Sequence, residues 1–254
     1  MASEKSRALV IRVIDFSETS CVVTLFSEDF GKISALAKGA RRLKSPFESA
    51  LDLLSLCRIV FLRKSSDALH LLTEAKLERR FRAAARSLPR LYAGYYVAEL
   101  LRSLTDEGDP HLELFQIAND FLFSLDNESE WRADLLRFEL NALRLLGHMP
   151  MLDACVGCGE CIENTKRVAF GQLAGGVLCG KCRIGQHQVV SVSGEVIATM
   201  RQYTEQQTSV QHTAPLTPRV AGEMRGVLSR YLCHLLGHRP RMHQWLDGQP
   251  YKRQ

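Results

Sequence analysis

The chain has 254 residues, 46% hydrophobic and 24% charged, which provides for packed cores at an ordinary charge density. At ~100–200 residues per domain this length means one large domain or two to three small ones. With 33 basic against 28 acidic residues the net charge is +5, which permits a nucleic-acid partner without announcing one. No run approaches the ~18–20 apolar residues of a membrane span. No apolar signal core follows the polar start, so a cytoplasmic protein without membrane association is expected.

Residues 1–80 read as strands. Residues 8–16 are rich in Val and Ile, residues 21–26 and 32–37 flank a turn at 27–31, and residues 51–63 and 68–76 follow across a polar break at 64–67. Five short strands with small turns and no long helix predict a small barrel, of which the oligonucleotide-binding fold is a common five-stranded example.

The third strand runs into Lys38, Gly39, Ala40, Arg41, Arg42, Leu43, Lys44 and Ser45, with four cations among residues 38–44. Glycine lets backbone approach a phosphate, and the cations neutralise a strand without reading its sequence. A solvated turn is the plain alternative. Arg79, Arg82, Arg86 and Arg90 recur at spacings of three and four, and on a helix they would share one face, as a DNA track or as a solvated surface. Phe26 and Phe30 are aromatic, but a core or turn role suits each better than base stacking, so backbone contact is expected to dominate.

Helices follow. Ser87 and Pro89 start one with Leu91, Tyr95, Ala98 and Leu101 along its face. Asp109 and Pro110 are expected as N-cap and first residue of the next, with Leu114, Ala118, Phe121 and Leu125. Trp131, Leu135, Phe138, Ala142 and Leu145 stripe a third, closed by Gly147. Leu136, Leu140 and Leu143 make it apolar on a second side, as in a buried central helix. Val196, Met200 and Tyr203 suggest a fourth helix, and a polar linker spans 205–217. Thr217 and Pro218 open the last helix, whose face is Val220, Met224, Val227, Tyr231 and Leu235, and Gly237 ends it. Arg239 and Arg241 beyond it are a weaker third basic patch. The expected division is 1–80 (barrel), 81–151 and 191–246 (helical domain), 152–190 (cysteine insert) and 247–254 (tail).

Five of the eight cysteines fall between positions 155 and 182. Cys155 and Cys158, then twenty residues, then Cys179 and Cys182 make two C-x2-C pairs. Each two-residue gap lets one turn aim both sulfurs at one point, and two such turns complete the tetrahedron of thiolates that zinc takes. Four protein ligands leave no open position, so the metal is structural. The intervening stretch is a short hairpin returning at Gly175 and Gly176. Cys161 extends the first pair to a C-x2-C-x2-C run, so it competes with Cys158 or points to an iron–sulfur cluster. The second pair makes zinc simpler and leaves Cys161 a spare thiol. Cys21, Cys57 and Cys233 stand alone among apolar residues as small core hydrophobes.

Two motifs fail on inspection. Residues 175–181 match G-x4-G-K, but Cys182 stands where magnesium needs a hydroxyl. His111 and Glu113 with Cys155 and Cys158 imitate a zinc-deaminase signature, but no proline precedes Cys155 and the second cysteine pair is left without a purpose.

A barrel ending its third strand in the basic run 38–45, an all-helical domain, and a C-x2-C…Gly-Gly-Val-Leu-Cys-x2-Cys insert together resemble the RecO family of bacterial recombination mediators, over residues 5–246. The resemblance implies an α+β protein: an N-terminal five-stranded oligonucleotide-binding barrel, then an all-helical domain carrying a four-cysteine zinc module. It implies a nucleoid-associated, non-enzymatic role. It also implies that single- and double-stranded DNA are bound and complementary strands annealed, and that with RecR, and through the C-terminal tail of single-stranded DNA-binding protein, RecA is helped onto coated DNA. Lys38, Arg41, Arg42 and Lys44 match the family's basic barrel loop, and Cys155, Cys158, Cys179 and Cys182 its metal ligands; Arg79, Arg82 and Arg86 are added as DNA contacts. Cys161 is an extra thiol, and Met242 stands where a serine is expected. An RNA-binding barrel with a zinc ribbon is the alternative from another class.

Overall fold

The computed structural model describes residues 3–42, 45–47, 50–64, 69–85, 87–127, 130–162, 166–205 and 216–246. Two compact units make up the chain, one of residues 1–129 with 240–254 and one of residues 130–239. Among the described residues no helix is long and apolar enough to cross a membrane. The tail 247–254 and most of the linker 205–217 lie outside the described residues.

In the first unit, strands β1 (Ser3–Asp15), β2 (Cys21–Ser27), β3 (Gly31–Ala37), β4 (Leu56–Leu62) and β5 (His70–Arg79) pair in the closed order β1-β2-β3-β5-β4. All pairings are antiparallel except β3 with β5. Period-two burial explains the closure: Val23 and Leu25, Ile33 and Ala35, and Ile59 and Phe61 point to one shared interior. Cys57 belongs to that interior, where burial pushes its thiol up to about 12. β1 is buried on both faces from Ala8 to Ile11, because it packs against helix α1 (Leu88–Leu104) as well. Past a register shift between Val10 and Arg12, residues 12–15 stand exposed.

Helix α2 (Leu112–Leu125) begins later than the Asp109–Pro110 pair predicts, with His111 at its N-cap. Tertiary contact explains the delay. Residues 107–109 line the edge of β3: Gly108 N–H donates to the Lys32 carbonyl at 2.9 Å, and the Glu107 carboxylate accepts from Ser34 N–H and Oγ–H at 3.1 and 2.6 Å. Lys32 Nζ donates back to the Arg102 carbonyl at 2.9 Å and to that of Thr105, satisfying the last carbonyls of α1. Gly31 makes this possible, since its φ is +65° and a Cβ would fall 1.9 Å from the Asp109 carbonyl oxygen. Gly31→Ala is therefore expected to cost about 2–3 kcal/mol from overpacking and left-handed strain, read as a lower denaturant midpoint with unchanged slope.

The second unit contains helix α3 (Trp131–Leu145), a sheet of β6 (Arg167–Gly171), β7 (Gly176–Leu178) and β8 (Val189–Ser193) in the order β7-β6-β8, and helices α4 (Gly194–Glu205) and α5 (Pro218–Leu236). The expected β6–β7 hairpin is present, and β8 adds an edge that the cysteine spacing does not announce. α3 packs on both α4 and α5 and buries Leu135, Leu136, Phe138, Leu140, Ala142 and Leu143, the central role its two apolar sides predict. On the same helix Glu139 is wholly buried and pairs with Arg225 of α5. A short helix, α6 (His243–Leu246), belongs to the first unit. There Trp245 stacks on Tyr92 and His243 bonds to the Tyr96 hydroxyl at 2.9 Å.

Candidate functional site

Two arrangements carry chemistry, one in each unit. In the second unit, the sulfurs of Cys155, Cys158, Cys179 and Cys182 all lie within 4.8 Å of one another. Cys158 Sγ and Cys179 Sγ are 3.8 Å apart, which is the edge of a tetrahedron with metal–sulfur distances of ~2.3 Å. Two tight turns produce this convergence. Gly159 N–H donates to the Cys155 carbonyl at 2.8 Å and Arg183 N–H to that of Cys179 at 3.1 Å. Gly157 permits their approach, because a Cβ there would lie 3.1 Å from the Cys182 Cβ and 3.2 Å from its sulfur.

Backbone donors already favour thiolates. Cys179 N–H is 3.3 Å from Cys155 Sγ and, with the N–H groups of Gly157 and Cys158 against partial desolvation, holds that thiol down to about 6. Cys182 N–H likewise lowers Cys179, at 3.4 Å. Cys182 is pushed up to about 12 by its proximity to Cys179, Cys158 and Cys155, since four neighbouring thiols cannot all ionise without a cation among them. The donor set thus fits one tetrahedral, sulfur-bound metal ion with no position left open. Cys161 is not part of the close set. Its backbone pairs with Ala154, and Ile162 N–H donates to the Asp153 carbonyl at 3.1 Å. Neither His111 nor Glu113 belongs to the cluster; His111 instead pairs with Asp109 at 3.0 Å.

In the first unit, residues 38–42 turn beyond β3 beside the β1–β2 loop. Gly39 N–H donates to Ser20 Oγ at 3.2 Å and Arg41 N–H to the Thr19 carbonyl at 3.1 Å. The two loops enclose a shallow depression lined by Phe16, Thr19, Ser20, Lys38, Gly39 and Arg42. Lys38, Arg41 and Arg42 are exposed, and Arg41 pairs at 3.0 Å with Asp15, itself exposed. Such an exposed pair is worth little and exchanges readily for a phosphate. Lys44 lies outside the described residues. Phe26 is wholly buried and Phe30 packs edge-on against Phe61. Beside this loop an aromatic side chain does face solvent: Phe16, 64% exposed. Sequence reading assigned it to a strand end; its signal was a phenylalanine set between Asp15 and the polar run 17–20.

The second basic series is not a helical face. Arg79 ends β5, where its guanidinium donates to the Asn119 carbonyl and Oδ1 at 3.2 and 2.8 Å and lies over the Phe123 ring. Arg82 precedes a short 3-10 turn and donates its backbone N–H to Asp126 at 2.8 Å. Arg90, in α1, donates to the carbonyls of Leu125 and Asn127. Arg79 and Arg90 thus hold the C-terminal half of α2, the strand having continued three residues beyond its expected limit. Arg86 lies outside the described residues.

Comparison with known proteins agrees with this architecture. The family model described as Recombination protein O N terminal matches residues 1–81, and that described as Recombination protein O C terminal matches residues 85–244. The DNA repair protein RecO of Rhodopirellula baltica is 44% identical over 262 residues, covering 94% of this chain and 97% of the relative. That of Anaeromyxobacter dehalogenans is 34% identical with 97% of each covered, and that of Symbiobacterium thermophilum 30% identical with 97% and 98% covered. Matched along nearly its whole length, the chain belongs to the RecO family of DNA repair proteins, which are mediators and not enzymes.

Proposed function

We propose that the chain binds single- and double-stranded DNA through an oligonucleotide-binding barrel, anneals complementary strands, and holds one structural zinc ion on Cys155, Cys158, Cys179 and Cys182. The observation that carries the DNA reading is the depression between the two loops, where Lys38 and Arg42 flank exposed Phe16. Cations there screen phosphate repulsion between two strands while bases pair, a role that needs neither nucleotide nor catalytic group. The sulfur-only donor set supports zinc, whose closed shell gives the insert its fold and no reaction. By family resemblance the partners are RecR and the C-terminal tail of single-stranded DNA-binding protein, with RecA loaded in consequence. Arg82 and Arg86 remain supplementary DNA contacts, while the Arg79 guanidinium is engaged within the fold.

Annealing of complementary oligonucleotides without nucleotide, over a salt series, tests the reading. The triple variant Lys38→Ala, Arg41→Ala, Arg42→Ala is expected to lose about 10–100-fold in DNA affinity at low salt, and its salt slope should fall by about 2. Wild-type annealing by that variant would refute the loop assignment. RNA bound more tightly than DNA at matched salt would favour an RNA-binding role.

A further inference from the structure

Several surface arginines of the first unit are paired. Arg7 and Arg58 share Glu78, at 3.1 and 2.8 Å, and Arg80 faces Asp52 at 3.5 Å. Arg12, Arg102 and Arg241 are exposed, and among the described residues none of their guanidinium groups is in an ion pair. These three come together from remote parts of the sequence. Arg12 follows the register shift of β1, and Arg102 sits in the last turn of α1, which packs on β1. Arg241 precedes α6, and its backbone N–H donates at 2.8 Å to Glu99, one turn before Arg102. Met242 N–H takes the other Glu99 oxygen at 3.1 Å, so this carboxylate anchors backbone. Partial burial, then the charges of Arg12 and Arg241, depress the Arg102 pKa against the pull of Glu99. Three cations beside one carboxylate leave a local excess of positive charge, whose self-repulsion a bound polyanion relieves.

Their position is as informative as their charge. A strand rises ~3.3 Å per residue, so Arg12 stands roughly 10 Å along β1 from Asp15, to which Arg41 is paired at 3.0 Å. Val13 and Ile14, between Arg12 and Asp15, are 39% and 42% exposed, and Phe16, just past Asp15 beside Lys38 and Arg42, is 64% exposed. Cations, then apolar and aromatic surface, then cations again is the succession that an unpaired strand presents in phosphates and base faces. A duplex hides its bases and has no use for the apolar interval.

We propose that Arg12, Arg102 and Arg241 form a second phosphate-binding cluster, so that one single strand of DNA runs from the basic loop along the exposed end of β1 with a base stacked on Phe16. This rests on the DNA-binding reading of the loop and extends it to a path of defined direction.

Anisotropy titrations of the full chain with thymidine oligonucleotides of six and twenty residues, over a salt series, test the path. Six residues already exceed the roughly 10 Å between the cation groups at ~3.4 Å per nucleotide, so Arg12→Gln, Arg102→Gln, Arg241→Gln together are expected to weaken both lengths. Twenty-residue affinity should fall about tenfold and its salt slope by about 2, at ~0.7 per lost phosphate contact. Phe16→Ala should weaken the oligonucleotides and leave duplex binding unchanged. If the triple variant does not fold, Arg12→Gln and Arg102→Gln singly carry the test, each lowering the slope by about 0.7. Wild-type affinity and slope for both lengths, with binding lost in the Lys38, Arg41, Arg42 variant, would overturn the second cluster and leave the loop reading standing. Loss at twenty residues with the loop variant unaffected would support the cluster and overturn the loop. An acidic peptide that binds wild-type but not the Arg12, Arg102, Arg241 variant, with DNA unaffected, would assign the cluster to a protein partner and overturn the path.

Discussion

Replacing Cys179 by serine is expected to abolish metal binding, from about one ion per chain to about none, and to unfold the cysteine insert. A serine hydroxyl is a far poorer zinc ligand than a thiolate, and this sulfur also receives Cys182 N–H at 3.4 Å. Structural zinc sites supply roughly 10–16 kcal/mol of apparent binding energy, comparable to the whole stability of a domain. The insert has little to replace it: β7 is three residues long and Cys158 and Cys161 are exposed. Elemental analysis and amide exchange across residues 152–193 read the two effects. Basic-loop contact with DNA should persist, because Lys38, Arg41 and Arg42 are held by backbone bonds to the β1–β2 loop of the other unit. Full metal content would refute the ligand assignment. Lost DNA contact with the insert still protected would show that the module itself touches DNA.

Glu139→Ala is the second large effect, expected to cost about 3–5 kcal/mol. The carboxylate is wholly buried against the Arg225 guanidinium, which is 18% exposed. Removing the carboxylate takes a wholly buried ion-pair partner from Arg225, and breaking such a pair on one side costs more than the pair is worth. At 2–4 °C per kcal/mol the melting of the helical unit should fall by about 10 °C. Changing both residues, Glu139→Leu with Arg225→Met, should recover most of the loss, since an apolar replacement of a buried pair is often neutral. A shift under about 2 °C for the single variant would mean that the pair is solvated.

Much of this protein is legible in its sequence because the signals are local. Alternating apolar residues in 21–26 and 32–37 specify strands, Thr217 and Pro218 open a helix that Gly237 ends, and two C-x2-C turns specify a convergent sulfur set whatever surrounds them. The start of α2 was misread for the opposite reason. Asp109 and Pro110 have the chemistry of a helix start, but Gly108 bonds Lys32 of β3 and Asp109 packs against Gly31, a need for an edge partner that local sequence does not express. Arg79 and Arg90 show the same limit: spacing assumed one helix, and the structure divides them between a strand and α1, both holding the C-terminal half of α2.

Sequence by itself determined the four-cysteine set, the basic loop and the strand-to-helix order, since each depends on neighbours a few residues apart. Only the tertiary structure separated Cys161 from the sulfur set, exposed Phe16 beside Lys38 and Arg42, and brought Arg12, Arg102 and Arg241 together from opposite ends of the chain. The physical reason is range. Turn geometry and hydrophobic period are properties of contiguous backbone, whereas the charge and apolar surface offered to a partner depend on which distant groups packing leaves side by side.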